Sequence, residues 1–204
     1  MTRVVAIDPA VTSGEEADET GIVVAGKDQN GHGNVLADIS GRYPPTEWAR
    51  LAIAAYRTHR ADRIVAEVNN GGDMVGATLR MVDRNVAFTA VRASRGKIVR
   101  AEPVAALYDQ GRVHHIGTFP QLEDQMTNFT SDLDRAAAGY SADRVDALVW
   151  AFSELLVEQM PGENVFEVYR QQAEAAAQPS KPQPEQTLPQ PGSMEWFKAQ
   201  HNKG

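Results

Sequence analysis

Three carboxylates stand where apolar runs end or begin. Asp8 closes Val4-Val5-Ala6-Ile7, Glu67 closes Ile64-Val65-Ala66, and Asp146 sits inside Val145-Asp146-Ala147-Leu148-Val149. Carboxylates are rarely held in such surroundings unless they are paired or bind a metal. Hard oxygen donors of this kind suit Mg²⁺ or Mn²⁺ rather than Zn²⁺. Two such ions about 3.5–4 Å apart can grip a scissile phosphate, one activating a water and the other stabilising the leaving oxygen. Asp143 lies three residues before Asp146, on the same side of a helix. It is expected either as a fourth ligand or as a group that supports Asp146. Taken singly, a carboxylate at such a place is more often a strand end or a helix cap. Three together in apolar context point to a metal site.

The elements must bring these residues to one place. Arg3–Asp8 reads as a buried strand, Thr20–Ala25 as a second and Asn34–Ser40 as a third, with a Gly/Asn-rich turn between the last two. Short connections among the three predict an antiparallel meander. After Pro44-Pro45, Thr46 is expected to cap a helix running to about His59, with Trp48, Leu51, Ala52, Ala55 and Tyr56 on one face. Arg63–Glu67 is a short strand, followed by a loop through Asn69–Gly72 and a helix from Asp73. Val86–Val91 and Arg112–Ile116 read as strands, with a helix Ile98–Tyr108 between them that Gly111 closes. Phe119–Phe129 is expected as a helix, and Ser141–Gln159 as a long apolar one. The order is a mixed α/β pattern rather than strict βαβ alternation. If the first and fourth strands are neighbours, Asp8 and Glu67 face each other at one sheet end, where the long helix can add Asp146.

Bulk properties limit the alternatives. The chain has 204 residues, 42% hydrophobic and 23% charged, ordinary for one compact domain with an appendage. It contains no cysteine, which excludes disulfides and thiolate metal sites. No apolar run approaches the roughly 18 residues of a membrane span, and the N-terminus does not read as a secretory signal. The sequon at Asn128 is therefore expected to be irrelevant. Residues 1–160 are expected to form the folded domain. Residues 161–204 read as a flexible Pro/Gln-rich tail ending in Met194-Glu195-Trp196-Phe197-Lys198, either a docking peptide that orders on a partner or a frayed end.

The net charge of −7 speaks against broad nucleic-acid affinity. A local answer lies between Arg80 and Arg112, where Arg80, Arg84, Arg92, Arg95, Lys97, Arg100 and Arg112 outnumber the acids. Lys97 opens a helix, a place that favours anions. Arg80, Arg92, Arg95, Lys97 and Arg100 are the expected DNA contacts. His114 and His115 are adjacent on a strand and so point to opposite faces, which keeps them from sharing a metal. Ser13 and Ser94 have no His-plus-acid constellation near them, so nothing supports a serine nucleophile.

The segments Ala6-Ile7-Asp8-Pro9, Asp18-Glu19-Thr20-Gly21-Ile22, Ala66-Glu67-Val68-Asn69-Asn70-Gly71-Gly72 and Asp143-Arg144-Val145-Asp146-Ala147-Leu148 resemble the C-terminal nuclease domain of tailed-bacteriophage terminase large subunits. The resemblance spans residues 3 to about 158, and it rests on the order and spacing of the segments together. It implies an RNase H-like mixed sheet, an antiparallel three-strand meander plus parallel strands, flanked by helices. It also implies two-metal cleavage of double-stranded DNA concatemers during viral genome packaging. By motif position Asp8, Glu67 and Asp146 match the family's metal ligands, and Asp143 matches a position that is often polar or acidic. Implied partners are double-stranded DNA, the terminase ATPase part, the small terminase subunit and the portal protein, with no membrane. The implied location is the cytoplasm of the bacterial host. Complete terminases also carry a packaging ATPase, and no G-x-x-x-x-G-K-[ST] occurs here; Gly96-Lys97 lacks the flanking residues. This chain is expected to cut DNA but not to translocate it, as an excised domain or the product of a split gene.

Other readings share parts of this pattern. A Holliday-junction resolvase uses the same three-carboxylate logic on branched DNA. An ATPase of the actin/sugar-kinase type opens with a similar acidic strand but needs a second lobe. A non-enzymatic packaging adaptor would not need the full set of carboxylates.

Overall fold

The computed structural model describes residues 1–10, 19–68, 72–93, 96–129 and 142–157. The expected tail and Arg95 lie outside the described residues. Six strands form one mixed sheet: β1 (Thr2–Asp8), β2 (Gly21–Lys27), β3 (Gly33–Asp38), β4 (Arg63–Glu67), β5 (Phe88–Val91) and β6 (Val113–His115). Their spatial order is β5-β4-β1-β2-β3-β6. β1, β2 and β3 are the antiparallel meander, while β4 joins β1, β5 joins β4 and β6 joins β3 in parallel. This is the expected RNase H-like mixed sheet.

β1 lies inside the sheet and has helices over both faces, so Val4, Val5, Ala6 and Ile7 are all buried. Alternation along the strand decides where each side chain goes. Val5 and Ile7 join Ile64 and Ala66 under helices α1 (Pro45–Thr58) and α2 (Gly72–Val82). Val4, Ala6 and Val65 face the other way, against α3 (Lys97–Asp109), α4 (Pro120–Thr127) and α5 (Asp143–Phe152). By the same parity, Asp8 and Glu67 belong to the α5 face. β1 and β4 pair in register up to Ile7 with Ala66, which sets Asp8 beside Glu67 at the strand ends.

Helix α5 is buried on all sides, every residue from Asp143 to Phe152 included. That explains its apolar run from Ala147 to Phe152. Two glycines let it lie on the sheet. A Cβ on Gly21 would come within 1.9 Å of the Asp143 carbonyl oxygen, and one on Gly33 within 2.5 Å of the Phe152 ring. The helix therefore rests on bare backbone at both ends.

Some boundaries differ from expectation. α1 starts at Pro45, with Pro44 as its cap residue, and the Pro44 carbonyl accepts the N–H groups of Glu47 and Trp48. Thr46 thus lies inside the first turn rather than capping it, because proline's fixed φ already suits a helix start. α5 ends at Phe152 and passes into a π-helical turn, Ser153–Val157, instead of continuing as regular α-helix. β5 and β6 are shorter than expected. Among the described residues no helix is long and apolar enough to cross a membrane.

Candidate metal centre

Asp8 leaves the end of β1, and Asp143 and Asp146 lie in the first turn of α5. One carboxylate oxygen from each falls within 4.8 Å of the other two. Asp143 and Asp146 are buried, and Asp8 is partly exposed as a residue. The Asp8 carboxyl is nonetheless densely surrounded by protein. Burial, then the negative charge of Asp146, push its pKa well above the usual 3.8; Lys97 opposes the rise, while Asp143 and Glu67 add to it.

Two cations already lean on the group. Lys97 Nζ, at the first residue of α3, donates to Asp146 Oδ2. Arg100, one turn later, has Nη2 3.5 Å from Asp146 Oδ1 and 3.6 Å from Glu67 Oε2. Glu67 also accepts a 2.7 Å hydrogen bond from Trp150 Nε1, and the Arg100 guanidinium stacks 4.6 Å over the Trp150 ring. Among the described residues, Asp8, Asp143, Asp146 and Glu67 thus gather four carboxyl groups at one end of the sheet, with Lys97 and Arg100 against them. The donor set is oxygen throughout, as Mg²⁺ and Mn²⁺ prefer.

Asp8 and Asp146 meet, and Asp143 falls in the same compact group. Glu67 stands beside that group, joined to it through Arg100. The expected DNA contacts do not share one face. Lys97 is partly exposed at the acidic group, but Arg100 is largely buried within it. Arg80 is exposed on α2, on the opposite side of the sheet, where it lies over the Phe88 ring. Arg92 is exposed just after β5. His114 and His115 do point apart. His114 meets His32 at 3.0 Å, whereas His115 bridges Tyr108 (2.8 Å) and Glu123 (2.9 Å) and so ties α3 and α4 to β6. Burial, then the Glu123 charge, raise the pKa of the Tyr108 hydroxyl.

Sequence reasoning did not single out the residues that hold the site in place. Gly21 opposes Asp8 across β1 and β2 and admits the start of α5. Thr20 is buried, and its Oγ1 accepts the Ala10 N–H at 3.3 Å, just beyond Asp8. Arg144 is buried between the two α5 carboxylates in sequence and pairs with Glu19 and Asp38. Burial disfavours its charge, but hydrogen bonds to Glu19 and the charge of Asp38 outweigh that, leaving its pKa raised. An arginine at the start of an otherwise strongly apolar stretch was the available signal, since a buried charge requires partners.

The family model for the terminase RNase H-like domain matches residues 5–155. The chain belongs to the terminase RNase H-like domain family. Solved structures agree on the fold. The large terminase nuclease from thermophilic phage G20c superposes with a TM-score of 0.54 at 17% identity, covering 75% of this chain and 82% of that one. Its magnesium-bound form gives a TM-score of 0.53 at 19% identity, covering 74% and 82%. The nuclease domain of the large terminase subunit of bacterial virus Sf6, solved with manganese and beta-thujaplicinol, gives 0.53 at 15% identity, covering 73% and 86%. No curated protein sequence matches significantly.

Proposed function

We propose that this terminase-family chain is a metal-dependent endonuclease that cuts double-stranded DNA concatemers during viral genome packaging, by two-metal-ion phosphodiester hydrolysis. The convergence of Asp8, Asp143 and Asp146 carries the reading. Solved terminase nucleases with magnesium, manganese, zinc and cobalt support a divalent cation here, and the all-oxygen donor set favours Mg²⁺ or Mn²⁺. Asp8, Asp143 and Asp146 would hold them, with Glu67 at the margin. Bound there, divalent cations would lower the pKa of an attacking water and offset charge on the leaving oxygen.

The chain's own residues prepare the site. Burial removes water from Asp143 and Asp146, which strengthens their pull on any cation. Trp150 and Arg100 orient the Glu67 carboxylate toward the group. Lys97, partly exposed, is placed to turn from Asp146 to a DNA phosphate once other positive charge satisfies Asp146. Arg92, Arg95, Arg100 and Arg80 are proposed as further contacts; of these Arg92 and Arg80 are exposed, Arg80 on the other face of the sheet, and Arg100 is largely buried. Residues 1–160 are proposed as the nuclease unit and 161–204 as a tail for a partner. The terminase ATPase part, small subunit and portal protein are the proposed assembly, in the host cytoplasm. The charge of −7 makes intrinsic DNA affinity weak, so cutting would depend on delivery of DNA by the motor.

Supercoiled plasmid incubated with the protein and Mn²⁺ or Mg²⁺ tests this. Nicked and linear products are expected with either cation and none in EDTA. Cutting in EDTA would contradict the metal mechanism. Strong preference for a four-way junction over linear duplex would contradict the packaging role.

A further inference from the structure

Arg144 occupies the same helical turn as Asp143 and Asp146 but faces away from them. Its side chain is 4% exposed. Nε and Nη2 donate to Glu19 Oε2 and Oε1 at 2.9 and 3.3 Å, and Nη1 donates to Asp38 Oδ2 at 2.7 Å. Glu19 lies just before β2, and Asp38 is the last residue of β3. Asp38 is itself fixed, because its Oδ1 accepts from Ser40 N (3.0 Å) and Ser40 Oγ (2.5 Å). Ser40 Oγ in turn accepts the Ile22 N–H at 2.8 Å, next to the Gly21 on which α5 rests. The Arg144 N–H donates to Gln125 Oε1 of α4 at 3.2 Å. That bond satisfies a helix-start donor that Ala142 cannot, since α5 has no side-chain cap of its own.

We propose that Arg144 is a positioning residue: by clamping α5 to Glu19 and Asp38 it sets the rotation at which Asp143 and Asp146 are presented to Asp8. This rests on the nuclease reading above. The lever is short but sufficient. Side-chain ends lie roughly 5–6 Å from a helix axis, so a turn of about 20° moves a carboxylate by about 2 Å. Displacements of that size are enough to disable a catalytic constellation. Only arginine's planar fork can serve two carboxylates at three points; lysine keeps the charge but not the geometry.

The test compares full-length wild type, Arg144→Lys, Glu19→Gln and Leu79→Ala. Leu79 is a buried residue of α2, on the far face of the sheet, and controls for lost stability alone. Mn²⁺ affinity is measured by calorimetry, and kcat and KM by plasmid cutting. Arg144→Lys is expected to weaken Mn²⁺ binding and lower kcat by roughly 10–100-fold, the range for groups that orient metal ligands. KM for DNA should stay within about twofold, with partial recovery at high Mn²⁺. Glu19→Gln, which spares the Asp38 contact, should shift both quantities in the same direction by less. It provides the answer if Arg144→Lys does not fold. Leu79→Ala should leave both unchanged at temperatures where it is folded. Wild-type Mn²⁺ affinity and kcat in Arg144→Lys and Glu19→Gln, or an equal loss in Leu79→Ala, would overturn the proposal. A wild type that neither binds Mn²⁺ nor cuts would overturn the nuclease reading instead.

Discussion

Asp8→Asn is expected to lower metal-dependent cutting by on the order of a thousandfold or more, the scale of several kcal/mol of transition-state stabilisation. The same change is expected to stabilise the metal-free protein. The opposition follows from the site's electrostatics. Burial and the charge of Asp146 raise the Asp8 pKa well above 3.8 in the folded chain. The folded state therefore binds this proton more tightly than the unfolded state does. Its contribution to stability is full below the unfolded-state pKa and is lost as pH rises through the folded-state value. Asparagine keeps similar size without the ionisation. Thermal melts in EDTA, from about pH 4 to about pH 8, should show wild type falling progressively below Asp8→Asn as pH rises. Other carboxylates titrate in both proteins, so the difference isolates Asp8. Added Mn²⁺ should raise the wild-type melting temperature at neutral pH and leave the variant nearly unmoved. Parallel pH profiles, or equal Mn²⁺ shifts, would remove Asp8 from the metal site.

Gly21→Ala is expected to be the most damaging single-methyl change in the sheet. Its Cβ would lie 1.9 Å from the Asp143 carbonyl oxygen and 3.1 Å from the Ala147 Cβ. The first contact is with backbone, which cannot rotate aside, so either β2 or the start of α5 must move. Overpacking of this kind costs about 1–3 kcal/mol, sometimes more. Displacement of Asp143 and Asp146 by about 1 Å should lower kcat by roughly a hundredfold beyond the stability loss. Urea unfolding gives the first quantity, and single-turnover cutting well below the melting temperature gives the second. Cutting at the wild-type rate in a folded Gly21→Ala protein would show that α5 does not need to sit against β2.

The two effects illustrate what was legible in the sequence. Asp8 and Glu67 were readable because each ends an apolar strand, and strand parity sends both to one face of the sheet. The meander was readable from short connections, and the apolar length of α5 announced a buried helix. Gly21 was not readable as a seat for α5, since a glycine inside the strand Thr20–Ala25 does not reveal the helix that packs above it. Arg144 and Asp38 are 106 residues apart, and no local pattern pairs them. Arg100 shows the same limit from the other side. By charge and neighbours it belonged to an exposed basic stretch, but the helical period of α3 turns it inward onto Trp150, Glu67 and Asp146. Runs of like charge report composition, whereas the face a residue occupies is decided by packing that sequence separation hides. Thr46 failed for a local reason, because Pro44 and Pro45 start α1 two residues earlier.

The central claim is that Asp8, Asp143 and Asp146 jointly hold the cations used for cutting. Crystals of the full-length protein soaked in Mn²⁺, measured at the manganese absorption edge, test it most directly. Anomalous density bounded by these three carboxylates is expected, with Lys97 Nζ moved off Asp146. Manganese bound elsewhere in the same crystals, with none among these carboxylates, would contradict it.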